Sequence, residues 1–120
     1  MIHSYVKVQF RFEGFHAWPA APDEVSFLRS AHRHEFHVSI EVAVGHDDRE
    51  IEFFILKRQM QAHPICAMKN LGSMSCEMIA KEFIVLLRNL YGDDRFYNVE
   101  VSEDGENAAV VIYDSLSGGV

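Results

Sequence analysis

The sequence is short of the features that mark several classes of protein. It carries two cysteines, Cys66 and Cys76, in 120 residues, too few for the disulfide framework of a small secreted domain. No apolar run is long enough to span a bilayer. The start, Met1-Ile2-His3-Ser4, lacks a charged and then apolar signal segment, so a cytoplasmic location without a membrane partner is expected. Basic residues are in deficit, 11 Lys and Arg against 18 Asp and Glu for a net charge of -7. That balance argues against nucleic acid and anionic membrane as main partners. There is no internal repeat, low-complexity tract or linker, and the length corresponds to one domain, 1–120. So short a chain buries a modest fraction of its surface, which leaves room for partner subunits to complete the core.

What is present is apolar and patterned. Apolar residues make up 48% of the chain, with nine Phe and four Tyr, which excludes disorder. Val6 to Glu13 alternates strictly and predicts a half-buried strand. Trp18 to Glu24, with Pro19 and Pro22, reads as a loop. His34 to Val44 is a second strand, with Phe36, Val38, Ile40, Val42 and Val44 on its apolar face, and Gly45-His46-Asp47-Asp48 ends it. Ile51 to Gln61 predicts a short helix with Phe53, Phe54, Leu56 and Met60 inward, stopped by Pro64. Ser73 or Ser75 can cap a second helix running to about Tyr91, with Ile79, Phe83, Leu86, Leu87 and Leu90 as its inner stripe. Phe96 to Ser102 and Ala108 to Tyr113 are two further strands, and the tail Ser115 to Val120 is expected to fray. The order ββααββ gives an α+β chain, a four-stranded antiparallel sheet covered on one face by two helices.

Seven His in the chain include three whose placement matters. His32 and His34 are two apart at the mouth of a strand, so their rings share a face, and by parity it is the face of Phe36 and Val38. His16 has the parity of Val6, Val8, Phe10 and Phe12, provided that no bulge at Gly14 shifts the register. Pairing of the two strands would join three imidazoles at one rim, the donor set of a catalytic zinc site with one open position. Three separate surface or loop histidines are the alternative reading of the same pattern.

Several motifs, in order, resemble those of the 6-pyruvoyl- and 6-carboxytetrahydropterin synthases. Phe15-His16 and then His32-Arg33-His34-Glu35-Phe36-His37-Val38 are similar to F-x-A-x-H and H-G-H-N-Y-x-V. Glu52-Phe53-Phe54-Ile55-Leu56-Lys57 resembles D-F-x-x-L-K, Ser75-Cys76-Glu77 with Ile79-Ala80 resembles P-T-x-E-x-x-A, and Val99 to Glu103 matches V-x-V-x-E. The resemblance spans nearly the whole chain and implies a single pterin-synthase-like domain with the tunnelling fold, assembled as a trimer or hexamer with sites between subunits. It implies Zn2+ on His16, His32 and His34. It also implies Glu103 as the carboxylate that accepts a bidentate, charge-assisted pair of hydrogen bonds from the pterin, with Glu77 as a second substrate-binding candidate. Read from the residues alone, Glu103 could be a solvated turn glutamate beside Asp104 and Glu106, and Glu77 a first-turn residue complementing the helix dipole.

The pattern breaks at the acid–base groups. The synthases carry a cysteine a few residues before H-x-H, whereas Ser26 to Ala31, including Leu28, holds neither cysteine nor carboxylate. Where the family has an Asp-His pair, the nearest counterpart here reads Ala67-Met68. Two residues are candidate catalytic replacements. Cys76 stands at a helix start, where the dipole favours a thiolate, although a small buried thiol is the plainer reading. His63, before Pro64, is a residue type that can act as acid or base near neutral pH, although an exposed loop histidine is the plainer reading. Two functions follow: a zinc-dependent synthase or lyase acting on a reduced pterin such as dihydroneopterin triphosphate, or a non-catalytic protein that holds zinc and a pterin or purine-like ligand.

Overall fold

A computed structural model describes residues 1–115; the expected frayed tail falls outside these residues from position 116 onward. Strand β1 spans Ser4–His16, β2 His32–Val44, β3 Tyr97–Glu103 and β4 Asn107–Tyr113, with helices α1 at Phe53–Gln61 and α2 at Cys76–Tyr91. The strands form one antiparallel sheet in the order β1-β2-β3-β4. Helix α1 packs on β1 and helix α2 on β3 and β4. The alternation anticipated for β1 and β2 is observed along both strands, with Val8, Phe10, Phe12, Phe36, Val38, Ile40 and Val42 buried beneath the helices. Both strands run further than their apolar runs, because the ladder continues to the pair His16–His32.

Local chemistry sets the helix ends. Ser75, in extended conformation, caps α2 by accepting a hydrogen bond from the Met78 N–H at 3.2 Å. Glu52 caps α1 by accepting from the N–H groups of Phe54 and Ile55. Two 3-10 turns lie between these elements, Asp23–Leu28, which overlaps the end of the expected Trp18 to Glu24 loop, and Pro64–Cys66, opened by the proline expected to stop α1. The core is aromatic where α2 meets the sheet: Phe10 meets Phe83 edge-on at 5.7 Å, and Phe12 stacks on Phe36 at 5.4 Å. Burying each such side chain stabilises the fold by about 1.5–3 kcal/mol.

Two inward assignments are corrected. Phe53 and Phe54 point to solvent, at 56% and 64% exposure, while Leu56 and Met60 alone carry the buried face of α1. Phe54 lies about 100° or more from the stripe of Leu56 and Met60, whereas Phe53 has the spacing of that stripe but is the first residue of the helix and stays exposed there. On α2, Ile79, Phe83 and Leu87 are buried with Ala80 and Ile84, but Leu90 lies exposed near the helix end.

Gly14 carries no bulge; it pairs in register with His34. Its lack of a side chain serves a close approach. The segment before α2 runs beside the end of β1, with Phe15 N–H donating to Lys69 O at 2.6 Å, Leu71 N–H to Phe15 O at 2.7 Å and Ala17 N–H to Gly72 O at 2.9 Å. A Cβ at position 14 would lie 2.8 Å from Leu71 Cδ1. Gly14→Ala is therefore expected to cost about 1–3 kcal/mol by overpacking, and Phe83→Ala about 3–5 kcal/mol by leaving a cavity. Urea midpoints measure both, and a Gly14→Ala midpoint equal to the parent's would contradict the close approach.

Candidate metal centre

The β1–β2 ladder pairs His16 with His32 and Gly14 with His34. Residues two apart share a face of the sheet, so three rings gather at its rim. Ring centroids are 4.5 Å apart for His16 and His32, 4.9 Å for His32 and His34, and 5.2 Å for His16 and His34. One ligand atom from each ring lies within 4.8 Å of the others. His16 is buried and the other two are half-buried.

The hydrogen bonds of the rings fix what they can offer. His16 Nδ1 lies 2.8 Å from Met74 O, His32 Nδ1 2.8 Å from Ser30 O and His34 Nδ1 2.7 Å from Asp104 Oδ2. These partners only accept, so each Nδ1 is assigned the proton and donates it, leaving Nε2 as the available ligand atom in each neutral ring. The Nε2 atoms of His16 and His34 are buried without a hydrogen-bond partner. The Glu103 carboxylate stands 3.3 Å from both, Oε1 facing His16 and Oε2 facing His34. Lone pairs thus face a carboxylate in a half-buried site, an arrangement that a bound cation would satisfy. The donor set, with its ring N–H groups tied to two carbonyls and a carboxylate, fits a divalent metal and its supporting shell.

A cavity of about 550 Å³ opens beside the cluster, lined by His16, His32, Glu103, Cys76, Trp18 and Leu28 among others. Its size is that of a small-molecule site, typically about 300–1,000 Å³. Glu77 lines it from the first turn of α2 and is exposed.

Cys76 also lines this cavity, with its Sγ 3.7 Å from Glu103 Oε1. Its environment opposes the thiolate that a helix start would favour. Burial pushes the thiol up to about 12, and the charge of Glu103, its hydrogen bond and the charge of Glu77 push the same way. His63 is neither exposed nor at this cavity. It lines a separate hollow with Gln59, Glu82 and Leu90, and its Nδ1 accepts from Ile65 N–H at 3.0 Å to cap the 3-10 turn. Burial lowers its pKa, partly opposed by Glu82 at 3.8 Å. Of the positions where the motifs break, Leu28 puts an apolar side chain into the cavity wall, Ala67 ends the 3-10 turn and Met68 is exposed.

Asp104 is the functional candidate that the motifs did not reveal. It opens the β3–β4 turn with positive φ, and it accepts from the Glu35 backbone N–H at 2.9 Å as well as from His34. Those two hydrogen bonds hold its carboxyl below the usual aspartate range. Only the β2–β3 register, Phe36 opposite Glu103, brings it over the start of β2.

No family model matches the sequence, and no curated protein matches it. Solved structures do resemble its fold. A Plasmodium vivax 6-pyruvoyltetrahydropterin synthase carrying a catalytic glutamate-to-alanine substitution superposes with a TM-score of 0.69 at 15% identity, over 95% of this chain and 99% of that one. The Plasmodium falciparum 6-pyruvoyl tetrahydropterin synthase gives 0.65 at 17% identity, over 92% and 97% of the two chains. At such identity the likeness establishes the fold, a four-stranded antiparallel sheet with two helices in the order ββααββ.

The hydrogen bond from His34 Nδ1 to Asp104 gives a direct test. Asp104→Asn keeps the shape of the His34 partner but removes its charge, and is expected to weaken metal affinity about 10–100-fold, read by competition with a chromophoric chelator. His34→Ala is expected to abolish stoichiometric binding, and full metal occupancy in that variant would exclude this centre.

Proposed function

We propose that this chain is a zinc-dependent, pterin-synthase-like enzyme acting on a reduced pterin such as dihydroneopterin triphosphate. One observation carries the reading. His16, His32 and His34 are pinned through Nδ1, with the Nε2 atoms of His16 and His34 buried and unpartnered, beside a cavity that also presents Glu103. The likeness in fold and the ordered motifs point to the ligand class. Zinc held by the three imidazoles would polarise a side-chain oxygen of the substrate and acidify its hydroxyl protons.

The remaining roles belong to the chain's own groups. Glu103 accepts a pair of N–H hydrogen bonds from the guanidine-like edge of the pterin. The Cys76 thiol, kept protonated by its surroundings, donates toward Glu103 Oε1 at the cavity wall and is the candidate proton carrier of this reading. Glu77 stands at the same wall as a further carboxylate for the ligand.

A second reading, a protein that binds zinc and a pterin without turnover, has its own support. The wall holds apolar Leu28, His63 lies in another hollow, and Cys76 is far from ionising at neutral pH. Incubating the metal-loaded protein with reduced pterins and analysing products by mass spectrometry separates the two readings. New product, cut about 10²–10⁴-fold by Cys76→Ala, supports the enzyme; a ligand bound but recovered unchanged supports the binding protein. Glu103→Gln is expected to weaken pterin binding by about 1.5–3 kcal/mol while the three imidazoles still hold one metal ion per chain. Unaltered affinity in titration calorimetry would remove Glu103 as the anchor.

Assembly belongs to the same proposal. β1 and β4 are the two edges of the sheet, and open edges present unpaired backbone groups that invite further strands. Trimers or hexamers joined through these edges are expected in light scattering at micromolar concentration, and a monomeric mass would refute them.

A further inference from the structure

The loop after β1 sets an aromatic ring into the wall of the histidine cavity. Trp18 is the one tryptophan of the chain. It follows the cluster residue His16 by two positions and lines the cavity together with it and Glu103. Its backbone is fixed on both sides. The Ala17 N–H donates to Gly72 O at 2.9 Å, the Trp18 N–H to Leu28 O at 2.7 Å and the Ala21 N–H to Trp18 O at 3.0 Å. Arg29 Nε donates to Ala21 O at 2.8 Å and ties the far end of the loop to the same point. Pro19 and Pro22 restrict φ within the loop. Trp18 therefore stands on a braced piece of backbone.

The ring itself is unspent. Trp18 is 48% exposed, and among the described residues its indole enters no ring pair and no hydrogen bond. An aromatic side chain has about 150–250 Å² to bury, and folding leaves about half of this one outside the core. The other rings in the cavity wall are His16 and His32, whose Nε2 atoms are set aside for a metal. Trp18 is thus the one lining side chain with a broad apolar face to give. Met78, itself 53% exposed, and Leu28 extend the apolar surface of the same wall. A flat heterocycle needs two kinds of contact. Its edge calls for hydrogen-bond partners, which Glu103 provides. Its faces call for aromatic or apolar cover, and a π-face stacks on an indole whatever the substituents at the edge.

Resting on the pterin reading above, we infer that Trp18 is the residue that recognises the face of the bicyclic ring, and that the ligand is what covers its exposed indole. Glu103 reads the hydrogen-bonding edge, and Trp18 reads flatness and conjugation. The pair favours a planar heterocycle over an open-chain or saturated compound that offers the same N–H donors.

The test uses the assembled, metal-loaded protein and its Trp18→Phe, Trp18→Leu and Trp18→Ala variants. Each is titrated anaerobically in a calorimeter with 7,8-dihydroneopterin triphosphate and with 7,8-dihydroneopterin, and its metal content and oligomeric mass are measured. Trp18→Leu and Trp18→Ala are expected to weaken binding of both ligands about 10–100-fold, the loss that removing a stacking aromatic brings. Trp18→Phe is expected to keep most of the affinity, because phenyl retains a flat face and leucine does not. Metal content and mass are expected to match the parent in all three. As the single tryptophan, Trp18 also reports directly: bound ligand is expected to shield it from acrylamide quenching. Equal affinity in Trp18→Leu and the parent overturns this inference while leaving the pterin reading intact. So does Trp18→Leu matching a weakened Trp18→Phe, which would be apolar cover without stacking. Disassembly of Trp18→Ala, or an indole already shielded in the ligand-free assembly, assigns Trp18 to a subunit contact and likewise overturns it. Failure of the parent to bind either ligand overturns the pterin reading itself.

Discussion

The site depends on one alignment, an unshifted antiparallel ladder between β1 and β2 that runs all the way to His16 and His32. Side chains alternate across a strand, so a slip of one residue would send His16 to the solvent face while His32 and His34 stayed beneath the helices. Two features hold the alignment. Buried Val8, Phe10 and Phe12 lie opposite Ile40, Val38 and Phe36, so a slip would expose several side chains, each worth about 1.5–3 kcal/mol when buried. At the rim, where the apolar ladder ends, the Lys69–Gly72 backbone bonds to Phe15 and Ala17 and packs Leu71 over Gly14.

Given that alignment, electrostatics shapes the rest. Each imidazole spends its N–H on an acceptor fixed by a different part of the chain: Met74 before α2, Ser30 before β2 and Asp104 in the β3–β4 turn. Three loops therefore converge on one function, orienting Nε2 lone pairs. Glu103 brings negative charge to within 3.3 Å of two of those atoms. Such a site lacks a positive partner, and the net negative charge of the chain deepens that lack without specifying it.

Much of this was legible in the sequence, and the parts that were not share a cause. Strict alternation gave β1 and β2 their inner faces, and the parity of His16, His32 and His34 followed from it because a strand has a fixed period of two. The Ser75 cap and the stripe of α2 were similarly local. Phe54 was misjudged because it lies off the stripe of Leu56 and Met60; Phe53 has the spacing of that stripe, but it is the first residue of the helix and is exposed there, which periodicity alone does not reveal. Asp104 was missed because its role exists only once β2 and β3 pair. His63 was misplaced for the same reason: its position before Pro64 was visible, but the hollow between the end of α1 and the face of α2 was not.

Cys76 shows how a local rule loses to its surroundings. A helix N-terminus stabilises a nearby anion by at most about 2 kcal/mol, which corresponds to roughly 1.5 in pKa. Against this, burial and the charges of Glu103 and Glu77 carry the thiol from 9.0 to about 12. The thiol therefore stays protonated at neutral pH, and its proton points at Glu103 Oε1 at 3.7 Å. Cys76 and Glu103 then act as one unit. The thiol steadies the carboxylate by a weak donation, and the carboxylate keeps the thiol from ionising.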